Sequence, residues 1–173
     1  MKRKTIVFTL SFILSWSAFA QTKSDVFNAS TDVTWLGLDF SGAKFIGDRE
    51  RLGSESDIHH LLDALNELMV KEADKYNVAA ALQKKKVEYA TEVTTEHNAG
   101  LDVLSMVSAE GKDHVHLNPG DVEGIISSYD FKGKSGIGLM FNVESFNKLL
   151  EEGSFWVTFV NMGTMEVLFT ERL

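Results

Sequence analysis

The chain has 173 residues, of which 44% are hydrophobic, and it contains no cysteine. The lack of cysteine excludes disulfides, thiol nucleophiles, Cys-X-X-Cys redox chemistry and cysteine-based zinc sites. With 17 basic and 25 acidic residues the net charge is −8. This charge disfavours nucleic acids and anionic lipid headgroups as partners, because Lys and Arg supply most of the affinity for both.

The first 20 residues have the pattern of an export signal. Basic residues occupy positions 2–4, an apolar run covers 6–14, and small residues stand at Ala18 and Ala20. The apolar run is too short to remain as a membrane-spanning helix, which takes about 20 apolar residues. We therefore expect cleavage between Ala20 and Gln21, export to the periplasm or the medium, and no stable membrane anchor afterwards.

Removal of the signal would take away three basic residues and no acidic one, so that the mature chain carries a charge of −11. Its length suits one domain with one core. Residues 21–31 are polar and without period, which predicts a flexible leader. Residues 32–173 are predicted to form a single α+β domain.

The first half of that domain begins with a strand at 32–40, which is apolar on both faces and therefore central in a sheet. An apolar stripe at helical spacing then predicts a helix at 58–75, with Ser56 as its cap. A short helix is predicted at 78–84. The alternating, β-branched segment 87–95 predicts a strand, and a further helix is predicted at 98–107.

In the second half, Asn118-Pro119 predicts a helix start, and the helix is expected to cover 119–129. Strands are predicted at 136–143, 154–162 and 165–172, the last two joined by a tight hairpin turn. Because the strand at 154–162 is apolar on both faces, Trp156 should be buried. Arg172, near the chain end, should matter little for stability.

Together these elements predict an α+β fold: a mixed sheet of about five strands, two main helices packed on it, and a C-terminal antiparallel meander. The segments 33–41, 132–138, 156–162 and 167–171 resemble a group of small exported bacterial proteins of unknown function. The resemblance covers most of the mature chain and implies no catalytic residue. It also implies a further helical segment after the last strand, where this chain ends at Leu173.

Two histidines are the candidate metal ligands. His114 and His116 are spaced to share one face of a strand, and two imidazoles can hold zinc or copper when further ligands converge. His59, His60 and His97 are possible additional ligands, although no spacing fixes them. Since the segment reads as a loop, a solvated pair without metal is the favoured interpretation.

Three other candidates are weaker. Gly133-Lys134-Ser135 matches the end of a phosphate-binding loop, but Ser128 stands where the motif needs glycine and a strand follows instead of a helix. Asp39 ends the predicted central strand, where ligands of parallel sheets gather, but no sequence feature brings a partner to it. The aromatic residues Trp35, Trp156, Phe155 and Phe159 could line a pocket; their strand spacing favours core positions.

The sequence thus favours a non-enzymatic exported protein that binds an envelope protein or a small ligand, with no cofactor. The alternative is a small metal-dependent enzyme or hydrolase that uses His114, His116 and an acidic neighbour. A cleft with converging polar groups would favour the enzyme, whereas an exposed apolar surface would favour the binding module.

Overall fold

The computed structural model describes residues 21–48, 50 and 53–173. The predicted signal, residues 1–20, lies outside the described residues. The strands of the described chain are β1 Val33–Asp39, β2 Lys44–Ile46, β3 Val87–Tyr89, β4 Val107–Ser108, β5 Ile137–Asn147, β6 Glu152–Asn161 and β7 Glu166–Arg172. The α-helices are α1 Lys23–Phe27, α2 Glu55–Lys71, α3 Val78–Ala81, α4 Glu92–Asn98 and α5 Pro119–Ser127, and a 3-10 helix covers Gly111–His114.

All these strands form one sheet organised around β5. Along one edge, the first half of β5 pairs in parallel with β1 and its second half pairs in parallel with β2. β1 pairs with β3 and β2 with β4, again in parallel, so that the order is β3-β1-β5-β2-β4. Along its other edge β5 pairs antiparallel with β6, which pairs antiparallel with β7.

The predicted architecture is therefore wrong in detail, although the fold remains α+β. The described residues form seven strands rather than about five, and five of them are joined by parallel pairing. They form five α-helices, which include the two main helices predicted at 58–75 and 119–129. Describing the end of the sheet as a C-terminal antiparallel meander overlooks the role of β5, which is the shared centre of the parallel strands. The missed strands β2 and β4 have three and two residues, too few to show a period of two.

Local predictions differ in outcome along the chain. The helix with Asn118 as its cap is confirmed, since the Asn118 side chain accepts hydrogen bonds from the amides of Gly120 and Asp121. The long helix starts earlier than predicted, because Ser54, not Ser56, caps it. The segment 87–95 is a strand only as far as Tyr89 and then becomes α4, and no helix forms at 98–107.

Residues 21–31, predicted as a flexible leader, contain α1. The Thr22 and Asp25 side chains form a capping box at the start of this helix. Val26 on its inner side is 2% exposed and belongs to a core cluster together with Trp35 and Phe159.

Helices cover both faces of the sheet. On one face α5 packs Val122 and Ile126 against Trp156 and Val160. On the opposite face α1 and α3 contribute Val26 and Val78 to a second cluster. The burial of Trp156, which is 6% exposed, is confirmed.

Candidate functional site

The two candidate metal ligands contact different partners. His114 Nδ1 lies 2.8 Å from Ser145 Oγ, and its Nε2 lies 3.5 Å from the Glu152 carboxylate. His116 Nε2 lies 2.9 Å from the carbonyl oxygen of Gly42. Over residues 21–48, 50 and 53–173, no three His, Cys, Asp or Glu residues form a group that could hold a metal ion. The absence of a metal at this pair stays a prediction.

The contacts from Ser145 to His114 and from His114 to Glu152 bring together the residue types of a catalytic nucleophile, base and acid. Ser145 is however fully buried, and its hydroxyl donates a 2.8 Å hydrogen bond to the carbonyl oxygen of His114. A hydroxyl that is inaccessible and already donating is not placed to attack a substrate. These contacts tie β5 to the 3-10 helix and give no support to a hydrolase.

Asp39 lies in a buried polar cluster at the end of β1. Its carboxylate accepts hydrogen bonds from the hydroxyls of Tyr129 and Ser41, at 2.6 and 2.5 Å, and from Asn142 Nδ2 at 2.9 Å. Burial, followed by the adjacent Asp39 charge, raises the pKa of Tyr129. Asp39 is 0% exposed, and its donors take the place of solvent. The cluster therefore joins β1 and β5 to the segment that follows α5.

A second buried carboxylate, Glu144, lies on β5 two residues beyond Asn142 of the Asp39 cluster. It accepts hydrogen bonds from the amides of His116 and Leu117, at 2.7 and 2.6 Å, and from Ser154 Oγ at 2.6 Å. Arg172 Nε lies 2.8 Å from the same group. Burial works to raise the pKa of Glu144, but the hydrogen bonds from Ser154, Leu117, His116 and Arg172 prevail and lower it.

The remaining sequence candidate, Gly133-Lys134-Ser135, is a turn before β5. Gly133 has φ +72°, a conformation that favours glycine. The Lys134 ammonium pairs with Glu92 at 2.8 Å. The lysine is therefore used within the chain, and the segment does not begin a helix.

The feature with the character of a binding site is an apolar groove of about 450 Å³. It lies between the outer part of the β6–β7 face and the helices α1 and α3. The side chains that form most of it are apolar: Val26, Phe27, Leu82, Val157, Phe159 and Phe169. Phe159 is buried, whereas Phe27 is 65% exposed, so the groove joins the core to the surface.

Lys84 holds the α1 wall of this groove in place. Its ammonium is buried and donates hydrogen bonds to the carbonyl oxygens of Val26 and Asn28, at 2.6 and 2.7 Å. The carbonyl of Asp25 lies 3.4 Å away. A cation at the C-terminal end of a short helix satisfies carbonyls that have no partner within the helix, and burial lowers the pKa of this amine.

A second cavity of similar size, about 460 Å³, lies beside the β5–β6 turn. Phe45 and Phe146 stack within it at 6.1 Å, but four charged residues also line it: Asp48, Lys148, Glu151 and Glu152. It therefore places more charged side chains beside a bound molecule than the groove does.

Only some of the groove residues were predicted from the sequence. Phe159 was among the aromatic residues considered for a pocket, and it both lines the groove and lies in the core. Trp35 and Trp156 are core residues, and Phe155 is half-buried. Phe27 and Leu82 gave no signal, because the former falls in the predicted leader and the latter near the end of a short helix.

No helix among the described residues is long and apolar enough to cross a membrane. No family model matches the chain, and no curated protein sequence matches it. Among solved structures, the chain is similar to the LpoB C-terminal domain from Salmonella enterica, at 12% identity over 84% of this chain and 82% of that chain, with a TM-score of 0.31. So low a TM-score does not establish a common fold, and no family is assigned.

Proposed function

We propose that this protein is an exported, non-enzymatic binding module whose ligand is a small apolar molecule held in the groove between α1, α3 and the β6–β7 face. The observation that carries the proposal is the lining, which presents phenylalanine rings at the surface of a chain that is otherwise strongly charged. The predicted export signal at 1–20 supports a role in the cell envelope or the medium.

The size and chemistry of the groove support a small ligand. Small-molecule sites are clefts of roughly 300–1,000 Å³, mostly apolar with few polar groups, and about 450 Å³ falls within that range. Phe27 packs edge-to-face on Phe169 with ring centroids 5.2 Å apart. Two aromatic rings in this arrangement, one on α1 and one on β7, offer both a face and an edge to a bound molecule.

The buried polar groups support binding over catalysis. In the described chain, the carboxylates of Asp39 and Glu144 are each 0% exposed and hold several hydrogen bonds. Neither lies in the groove. A general acid or base must reach the proton it transfers, and these two groups are enclosed.

The proposal is tested with the uncharged fluorophore N-phenyl-1-naphthylamine, whose emission rises on entering an apolar site. The mature chain, residues 21–173, should bind it in saturable fashion. Phe27→Ser should weaken the binding by roughly tenfold, since exposing or removing a large apolar contact costs about 1.5–3 kcal/mol. Leu149→Ser is the matched control, because Leu149 and Phe27 are each 65% exposed and Leu149 lies outside the groove.

Equal weakening by both substitutions, or no saturable binding by the parent protein, would contradict the proposal. Melting curves of the two variants, which should match that of the parent, separate a lost contact from a lost fold.

A further inference from the structure

We infer that the ligand of the groove is an apolar molecule that carries a positive charge, such as an alkyl or aryl amine or a quaternary ammonium compound. The inference rests on the proposed function and adds the charge of the ligand. It is carried by the juxtaposition of one acidic residue, Glu171, with three phenylalanine rings in the same lining.

Glu171 is the only residue with a charged side chain among the described residues that line the groove. It lies on β7, is exposed, and has no cationic partner within the described chain. Glu144 on β5, by contrast, is paired with Arg172. A ligand cation entering the groove would therefore meet a carboxylate that is not already neutralised.

The phenylalanine rings favour the same ligand charge. The face of an aromatic ring attracts cations within about 6 Å of its centroid. In this chain the Lys23 ammonium lies 5.1 Å from the centroid of Phe169, so a ring of the groove already accepts a cation. The overall charge of −8, or −11 without the signal, adds a long-range attraction for cations and repels anions.

Lys84 and Lys23 are both opposing charges near the groove. The Lys84 ammonium is bound by backbone carbonyls, and Lys23 provides a second test of the inference. Its side chain is exposed and lies outside the groove lining, but it competes for the Phe169 ring and would repel a ligand cation. Loss of this charge should therefore strengthen binding of a cationic ligand, whereas loss of the Glu171 charge should weaken it.

The test compares three compounds with the same octyl tail, each below the concentration at which it forms micelles: octyltrimethylammonium, octyl glucoside and octyl sulfate. Calorimetric titration of the mature chain should show the cation binding most tightly and the anion least. Glu171→Gln should weaken binding of the cation by about two- to five-fold, the range of an exposed ion pair, and leave the glucoside unchanged. Lys23→Gln should strengthen binding of the cation by a similar factor.

Glu166→Gln is the matched control, because Glu166 is an exposed residue of the same strand outside the groove lining and its replacement changes the net charge equally. If Glu166→Gln and Glu171→Gln have the same effect, or if the sulfate binds as tightly as the cation, the inference on charge is overturned while the groove remains a binding site. If none of the three compounds binds, both the inference and the proposed function fail.

Discussion

Glu144 shows how a single carboxylate can be kept charged inside this fold. Removing a carboxylate from water is costly unless several donors replace the solvent. Here two backbone amides, a serine hydroxyl and a guanidinium do so. The guanidinium of Arg172 also lies 4.6 Å from the centroid of the Trp156 ring. The sequence-based view of Arg172 as dispensable does not take these contacts into account.

Arg172→Ala should therefore destabilise the protein by about 3 kcal/mol, since removing one partner of a buried pair leaves the other charge without compensation. Lys134→Ala, which breaks the more exposed pair with Glu92, should cost less than about 1 kcal/mol. Urea unfolding of both variants gives the two values. Equal and small losses would mean that Glu144 does not depend on Arg172.

The lowered pKa of Glu144 also predicts a dependence on pH. A carboxyl group whose pKa is lower in the folded than in the unfolded state stabilises the fold above its ordinary value of 4.5 and loses that contribution as the pH falls through the folded value. The difference in melting temperature between the parent and Glu144→Gln should thus be largest above pH 4.5 and shrink in more acidic buffer. A difference that is constant over this range would contradict the assignment.

At the scale of elements, side chains from two helices complete the edge of β1. β3 pairs with β1 only from Val33 to Trp35. Beyond that point Asn66 of α2 accepts a hydrogen bond from the Leu38 amide at 2.7 Å and donates one to its carbonyl at 3.0 Å. Asn98 of α4 accepts one from the Phe40 amide at 3.0 Å. The primary amide groups of the two asparagines thus replace the peptide groups of a missing strand.

Gly37 makes this arrangement possible. A Cβ at this position would lie 2.5 Å from Asn66 Oδ1, and the residue has φ +105°. Both the close approach and the backbone conformation require glycine. The sequence could not reveal this, because Gly37 and Asn66 are 29 positions apart and their proximity depends on how α2 packs.

Asn66→Ala should cost about 1–3 kcal/mol, the typical penalty for leaving a buried donor without its acceptor. Leu61→Ala serves as the control, since it is on the same helix and 54% exposed. Thermal melts of both variants provide the comparison. A cost for Asn66→Ala no larger than that of the control would show that water replaces the asparagine.

The contact between Lys84 and α1 is a second prediction at this scale. Lys84→Met keeps the aliphatic stem but removes the donor to the carbonyls of Val26 and Asn28. Loss of hydrogen bonds made by a charged group should lower the free energy of local opening by about 1.5–3 kcal/mol, so that amides at 25–31 exchange with deuterium faster. Lys85→Met makes the same charge change at an exposed neighbour and should leave exchange unchanged. Equal exchange in both variants would mean that α1 is held by its other contacts, such as those of Val26 and Phe27, and not by Lys84.

For the molecule as a whole, long elements could be predicted from the sequence, whereas short elements and contacts between distant positions could not. The long helices α2 and α5 and the strands β1, β6 and β7 carry enough apolar residues to show their periods. β5 extends beyond the predicted end at 143 because Glu144 and Ser145 are polar yet buried, and their partners lie at distant positions. The groove was missed because its wall α1 has only five residues and because its lining comes from four separate elements.

The central claim is that the groove, rather than the cavity beside the β5–β6 turn, binds an apolar ligand. The most direct test is a two-dimensional NMR titration of the isotope-labelled mature chain with N-phenyl-1-naphthylamine. We expect shift changes concentrated at residues 26–29, 81–83, 157–159 and 169–173. Changes concentrated instead at 45–48 and 146–153, or spread evenly over the surface, would contradict the account.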